Sequence, residues 1–280
     1  MQDKFLSILT PTYNRADKLD RVYESIKNQT LKKVDNDYIF EWVIIDDGSD
    51  DNTEEVVKNW QKEVDWNIIY KCQKNQGKWK ALSEGIKLVK GEFTLIVDSD
   101  DKFLPETFET FYNISNNFID EEKQKCGGIG VLCQDQFGSR VGCDYPIENR
   151  LIPTIDFIYE WRNIGLGETW AALKTENLKK SFKMPKAGKH LKFIPETFFW
   201  DRIVYELKPY SYFINKVLRI YYKEEGNNLS ENIRNKYPEG FLFESKWFVS
   251  KYWWILFKYP KVYLKHLIKY IYYQFKLMGK

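Results

Sequence analysis

Three carboxylates close a short apolar run: Asp98, Asp100 and Asp101 follow Phe93-Thr94-Leu95-Ile96-Val97 within four residues. Like charges that close repel one another, and a hard divalent cation with a preference for oxygen ligands, Mg2+ or Mn2+, offsets the repulsion. Such a cation usually bridges one or two protein carboxylates to the phosphates of a nucleotide, so the segment points to chemistry with a phosphate leaving group. The alternative is an acidic surface turn without a task, since Asp and Ser are ordinary turn residues.

The elements that must position these carboxylates follow from periodicity. Phe5 to Leu9, Trp42 to Ile45, Asn67 to Tyr70 and Phe93 to Val97 are strand candidates. Between them lie helical patterns through Leu19, Val22, Tyr23 and Ile26, through Val56, Val57 and Trp60, and through Ala81, Leu82, Gly85, Ile86 and Val89. A βαβαβαβ series of this kind predicts an α/β fold with a mostly parallel sheet flanked by helices, and such sheets bind ligands outside the carboxyl ends of their strands. Three of those ends are polar here: Thr10-Pro11-Thr12-Tyr13-Asn14, Asp46-Asp47-Gly48-Ser49 and the acidic segment. Their convergence argues against an idle turn.

Beyond about Cys126 the pattern is irregular and aromatic, with strand candidates at Gly128 to Leu132, Thr169 to Leu173 and Tyr212 to Tyr222. A helix is expected to open at Pro195-Glu196, with Phe199, Ile203 and Leu207 on one face. From Gly240 onward the chain carries many Trp, Tyr and Phe, eight Lys and, as its one acid, Glu244. Helical spacing places Trp247, Trp254 and Phe257 near one another beside Lys251 and Lys258. Such a segment resembles an interfacial helix on an anionic membrane; the alternative is that its aromatics cover the sheet or a partner subunit. The expected organisation is residues 1–125 as a nucleotide-binding half, 126–230 as an acceptor-binding half of the same domain, and 231–280 as a helical, membrane-associating extension.

A chain of 280 residues can bury a sizeable core, and its 43% hydrophobic and 30% charged residues are those of a folded globular protein. A net charge of +3 is too small to argue for nucleic acid. Cys72, Cys126, Cys133 and Cys143 lack both zinc-site spacing and the density of a disulfide scaffold, and are read as reduced thiols. The start of the chain does not resemble a signal peptide and no run of about 18 apolar residues could span a bilayer. The expected location is therefore the cytoplasm, peripheral to the inner face of the membrane if the tail binds it.

Four segments in order, Pro11-Thr12-Tyr13-Asn14-Arg15, Val43-Ile44-Ile45-Asp46-Asp47-Gly48-Ser49-Asp50, Asn75-Gln76-Gly77-Lys78 with Ala81-Leu82, and Val97-Asp98-Ser99-Asp100-Asp101, resemble family 2 glycosyltransferases, the inverting enzymes of GT-A fold. The resemblance covers about residues 4 to 115 and extends more loosely to Phe193-Ile194-Pro195-Glu196 with Trp200 and Arg202. It implies a GT-A sheet and transfer of a sugar from a nucleoside diphosphate donor, a UDP-sugar, to a glycan or lipid-linked hydroxyl with inversion, as in bacterial surface polysaccharide synthesis. Pro11, Thr12, Tyr13, Asn14 and Asp47 would hold the nucleotide base, with Asp46 sharing the task. Lys78 would face base or phosphate, and Asp98 with Ser99 the ribose. Asp100 would bind Mn2+ or Mg2+ directly, with Asp98 beside it, while Asp101 turns away or supports the loop.

The acceptor hydroxyl must lose a proton as it attacks, so a carboxylate is needed on the face opposite the leaving group. The resemblance assigns this base to Glu196, four residues before Trp200; a first-turn Glu complementing the helix dipole is the alternative. Glu168 and Trp200 are read as acceptor contacts. Two other readings remain: a phosphatase or phosphotransferase of the haloacid dehalogenase type, whose Asp-x-Asp motif usually lies near the N-terminus, and a non-catalytic membrane-associated nucleotide-sugar scaffold.

Overall fold

Strand β1 (Leu6–Thr12) is buried at every position, as a central strand covered on both faces must be. The computed structural model describes residues 4–158, 167–222 and 229–278, with side chains described from residue 233 in the last segment. In chain order the elements are β1, α1 (Ala16–Lys27), β2 (Lys33–Val34), β3 (Asp37–Tyr38), β4 (Phe40–Asp46), α2 (Thr53–Glu63), β5 (Ile68–Cys72), α3 (Lys78–Leu88) and β6 (Phe93–Ile96). There follow β7 (Lys102–Phe103), α4 (Thr107–Asn117), α5 (Asp120–Lys125), β8 (Cys126–Asp135), β9 (Arg140–Val141), β10 (Leu151–Pro153), α6 (Thr154–Asp156), β11 (Thr169–Lys174) and α7 (Thr175–Ser181). The last are α8 (Thr197–Arg202), β12 (Tyr210–Tyr221), α9 (Leu229–Lys236), α10 (Pro238–Lys251), α11 (Ile255–Lys258) and α12 (Pro260–Met278).

Packing divides the chain into two compact units, residues 1–180 with 209–223 and residues 181–208 with 224–280. The segment carrying Pro195-Glu196 thus groups with the C-terminal helices rather than with the strands before it.

In the first unit one curled sheet runs β10-β12-β8-β11-β6-β1-β4-β5. Strands β5, β4, β1 and β6 are parallel, as their intervening helices require. Strand β11 enters antiparallel between β6 and β8, and β8 runs parallel to β12. Register decides which polar residues meet: Thr12 lies level with Asp46, and Asp46 with Cys72. Leu9 pairs with Ile96, and Val97 N donates to Leu9 O at 3.0 Å, so the acidic segment leaves the sheet beside the end of β1. The strand order reverses between β1 and β6, the place where open α/β sheets bind ligands. A core through Leu6, Ile8, Trp42, Ile44, Leu95 and Val97 fixes these strands, with Tyr23 stacked on Trp60 at 4.4 Å.

In the second unit α8 follows Pro195 and continues as a π-helical run, Ile203–Leu207. The continuous helical spacing expected through Trp247, Trp254 and Phe257 is interrupted: α10 stops at Lys251 and α11 begins at Ile255. The cause is Tyr252, whose buried ring packs 4.8 Å from Tyr205 while its hydroxyl donates to Glu206 Oε1 at 2.9 Å. That anchor diverts the backbone from helix. Among the described residues no helix is long and apolar enough to cross a membrane. None of the four cysteines is joined in a disulfide.

Candidate functional site

Asp47 is the first residue past β4 and is 4% exposed. Its amide donates to Thr12 O at 2.8 Å. Its carboxylate accepts from Gln73 Nε2 at 2.7 Å, Gln76 N at 3.0 Å and Gly77 N at 2.7 Å, folding the loop before α3 over the strand end. Gly48, at φ +83°, makes this approach feasible, since a side chain there would lie 2.9 Å from Asn75 N. Asp46 spends both oxygens locally: Oδ1 accepts from Ser49 N and Oγ at 2.8 and 2.6 Å, and Oδ2 from the Tyr70 hydroxyl at 2.6 Å. Burial and the adjacent Asp46 push the Tyr70 hydroxyl well above its usual range, so it stays a donor. Asp46 therefore shapes the turn.

The other candidates of the first strand end lie beside it. Pro11 and Thr12 are buried in β1, and Thr12 Oγ1 has no hydrogen-bond partner. Tyr13 is 48% exposed. Asn14, at φ +50°, donates its amide to Ser49 Oγ and accepts at Oδ1 from Asp50 N, both at 2.9 Å, tying the β1 and β4 ends together.

The acidic segment forms a closed turn. Asp101 N donates to Asp98 O at 3.0 Å, and Asp98 N to Asp101 Oδ2 at 3.3 Å. Ser99 is buried within it. Four cationic side chains surround the turn. Lys78, the first residue of α3, lies 2.8 Å from Asp98 Oδ1. Arg15 pairs with the Asp100 carboxylate, and Arg21 Nη1 donates to Asp100 O at 3.2 Å. Arg219, on β12, lies 2.6 Å from Asp101 Oδ2 and 3.5 Å from Glu168 Oε1.

This arrangement separates the carboxylates electrostatically. Burial works against an ionised Asp98, but Lys78, Arg219 and Arg15 outweigh it and hold the group below the usual carboxylate range. Burial pushes Asp101 up, to about 7, with Asp98 and Asp100 adding to the push and Arg219 opposing it. Asp98 and Asp100 are thus partly exposed, whereas Asp101 is buried under Arg219.

Glu168 is half exposed at the start of β11 and belongs to this group through Arg219. Glu196 and Trp200 lie in the second unit. Glu196 immediately precedes α8, ahead of its first turn, and its carbonyl accepts from Phe199 N and Trp200 N at 2.9 and 3.2 Å. Trp200 packs edge-on to Phe182, with ring centroids 5.9 Å apart.

Sequence reading gave no role to Arg15, Arg21 or Arg219. Arg15 and Arg21 had a signal available, one at the entry to α1 and one a turn and a half along it, close behind the first polar strand end. Arg219 had none, because only the β7–β12 and β8–β12 pairings bring it to the turn.

Among the described residues no three His, Cys, Asp or Glu side chains converge as a metal cluster. The donor set nonetheless suits a divalent cation that completes its shell from phosphate and water: Asp98 and Asp100 offer hard oxygen ligands, each matched here to a cationic side chain.

Residues 7–117 match the family model for glycosyl transferase family 2. The poly(ribitol-phosphate) beta-N-acetylglucosaminyltransferase TarP of Staphylococcus aureus is 35% identical over 113 residues, 39% of this chain and 32% of that protein. The chain thus spans about a third of the length of such curated relatives. Among solved structures, S. aureus TarS residues 1–349 in complex with UDP-GlcNAc superposes with TM-score 0.62 at 21% identity, covering 88% of this chain and 66% of that one. The mannosyltransferase PcManGT of Pyrobaculum calidifontis, in complex with GDP-Man and Mn2+, gives 0.55 at 16% identity, covering 88% of this chain and 64% of that one. Residues 7–117 are thus similar to glycosyl transferase family 2, and the curled α/β sheet that carries them has the GT-A fold.

Proposed function

We propose that the protein transfers a sugar from a UDP-sugar to a hydroxyl of a glycan or lipid-linked acceptor, inverting the anomeric carbon, in the synthesis of a bacterial surface polysaccharide. The observation that carries this reading is the convergence of Thr12, Asp47, Asp98 and Asp100 at adjacent carboxyl ends of β1, β4 and β6. Pro11, Thr12, Tyr13, Asn14 and Asp47 hold the nucleobase, Thr12 through a buried hydroxyl that lacks a partner. Lys78 faces the base or phosphate, and Asp98 with Ser99 faces the ribose. Asp46 serves indirectly, by setting the turn.

Asp100 and Asp98 would hold Mn2+ or Mg2+, which would supply charge neutralisation for the departing diphosphate. Arg15, beside Asp100, carries a planar guanidinium that suits pairing with the donor phosphates. Glu196 takes the proton from the acceptor hydroxyl, supported by its place before Trp200 in the family pattern, and Glu168 and Trp200 contact acceptor. The protein acts in the cytoplasm, peripheral to an anionic membrane surface.

Thermal shift with a panel of nucleotide sugars, with and without Mn2+, tests the donor reading, since a ligand that binds only the folded state raises Tm with its affinity. Metal-dependent stabilisation by UDP-sugars is expected. Phosphate release without sugar transfer would instead favour the phosphatase reading, and donor binding without turnover the scaffold.

A further inference from the structure

Helix α12 is apolar on two opposite sides. Its inner side packs within the second unit: Tyr273 is 5% exposed and stacks on Phe241 at 5.4 Å, and His266 stacks on Phe248 at 3.7 Å. The outer side carries Leu264, Ile268, Ile271, Tyr272, Phe275 and Met278, exposed by 46%, 67%, 45%, 56%, 69% and 74%. They recur at i, i+4, i+7, i+8, i+11 and i+14, a single stripe along the helix. A surface helix with one buried side ordinarily presents charged residues on the other, and a continuous exposed apolar face marks a docking surface.

The charges beside the stripe say what it docks on. Lys261, Lys265 and Lys276 fall on one flank at helical spacing. α12 itself carries no acid, and the one acid downstream of Gly240, Glu244, is buried and neutralised by Lys269. Two copies meeting stripe to stripe would crowd these lysines together, whereas anionic headgroups would neutralise them.

We propose that the outer face of α12 seats the protein on an anionic lipid surface. Leu264, Ile268, Ile271 and Phe275 enter the boundary between headgroups and acyl chains, Tyr272 sits at headgroup level, and the flanking lysines meet lipid phosphates. This deepens the membrane part of the function proposed above and is independent of the donor site.

The test is co-sedimentation of the full chain with phosphatidylcholine vesicles, with and without phosphatidylglycerol, at low and high salt. Binding that requires phosphatidylglycerol and weakens with salt is expected. Ile268→Asp/Phe275→Asp is expected to lower partitioning about tenfold or more, and Lys261→Glu/Lys265→Glu to abolish the preference for anionic vesicles. Far-UV circular dichroism and UDP-induced thermal shift serve as controls and should match those of the unmodified chain. A folded Ile268→Asp/Phe275→Asp variant that sediments with vesicles as well as the unmodified chain overturns the proposal. So does a protein that ignores vesicles and forms a concentration-dependent dimer broken by that variant. If no nucleotide sugar shifts Tm while lipid binding behaves as stated, the donor reading fails and this one stands.

Discussion

Arg219 on β12 holds Asp101 Oδ2 at 2.6 Å, and the two side chains are 8% and 4% exposed. The pair fastens the acidic turn after β6 to a distant strand of the same unit, which sets the direction in which Asp98 and Asp100 face. Asp101 is thus separated from its neighbours in environment, although only one residue parts it from Ser99.

Removing one partner of a buried ion pair leaves the other charge uncompensated. Arg219→Met should cost about 3–5 kcal/mol of stability in urea denaturation, while the double variant Asp101→Asn/Arg219→Met should recover a substantial part of it. Additive losses would mean that the two groups do not act as a pair.

Asp100→Asn removes the proposed direct metal ligand while keeping the size of the side chain. Calorimetric titration with UDP in the presence of Mn2+ should show binding weakened by about 10²-fold or more, a loss at least as large as that from removing a group that only orients a metal ligand. Equal affinity with and without Mn2+ in the unmodified protein would remove the metal from the mechanism.

Glu196→Gln keeps the side chain's size and removes its capacity to accept a proton. Turnover should fall by about 10²-fold or more, with the UDP-sugar dissociation constant nearly unchanged. Turnover equal to that of the unmodified enzyme would assign the base elsewhere.

His266 gives the second unit an acid-sensitive contact. Burial lowers its pKa to about 4, with the charges of Lys269 and Lys265 adding to the effect. Its folded value lies below the ordinary value of 6.5, so the neutral ring contributes stability that is present above pH 6.5 and lost as pH falls through 4. The unmodified protein should lose about 2 kcal/mol more than His266→Phe between pH 7 and pH 4.5. Equal losses in the two proteins would show that His266 does not titrate as stated.

Periodicity located the four parallel strands to within a few residues, because apolar alternation and helical spacing are written locally. It also located their polar ends, since a strand buried on both faces makes a sudden Asp-rich turn conspicuous. The grouping of Asp47 with the loop Gln73 to Gly77 was legible only as a resemblance; the hydrogen bonds behind it depend on β4 and β5 lying side by side.

The amino-acid sequence by itself determined the alternation of strands and helices, the polar residues at three strand ends, two of them carrying carboxylates, and the Lys-rich aromatic composition of the tail. Tertiary structure alone decided the partner of each carboxylate. Asp46 and Asp47 are adjacent yet face different donors, and Asp98, Asp100 and Asp101 each meet a cation from a different element: Lys78, Arg15 and Arg219. It also broke the helix at Tyr252, where burial against Tyr205 and the bond to Glu206 outweigh helical continuation. The physical reason is common to these cases: propensity acts over a few residues, whereas burial and charge pairing depend on strands and helices that only folding brings together.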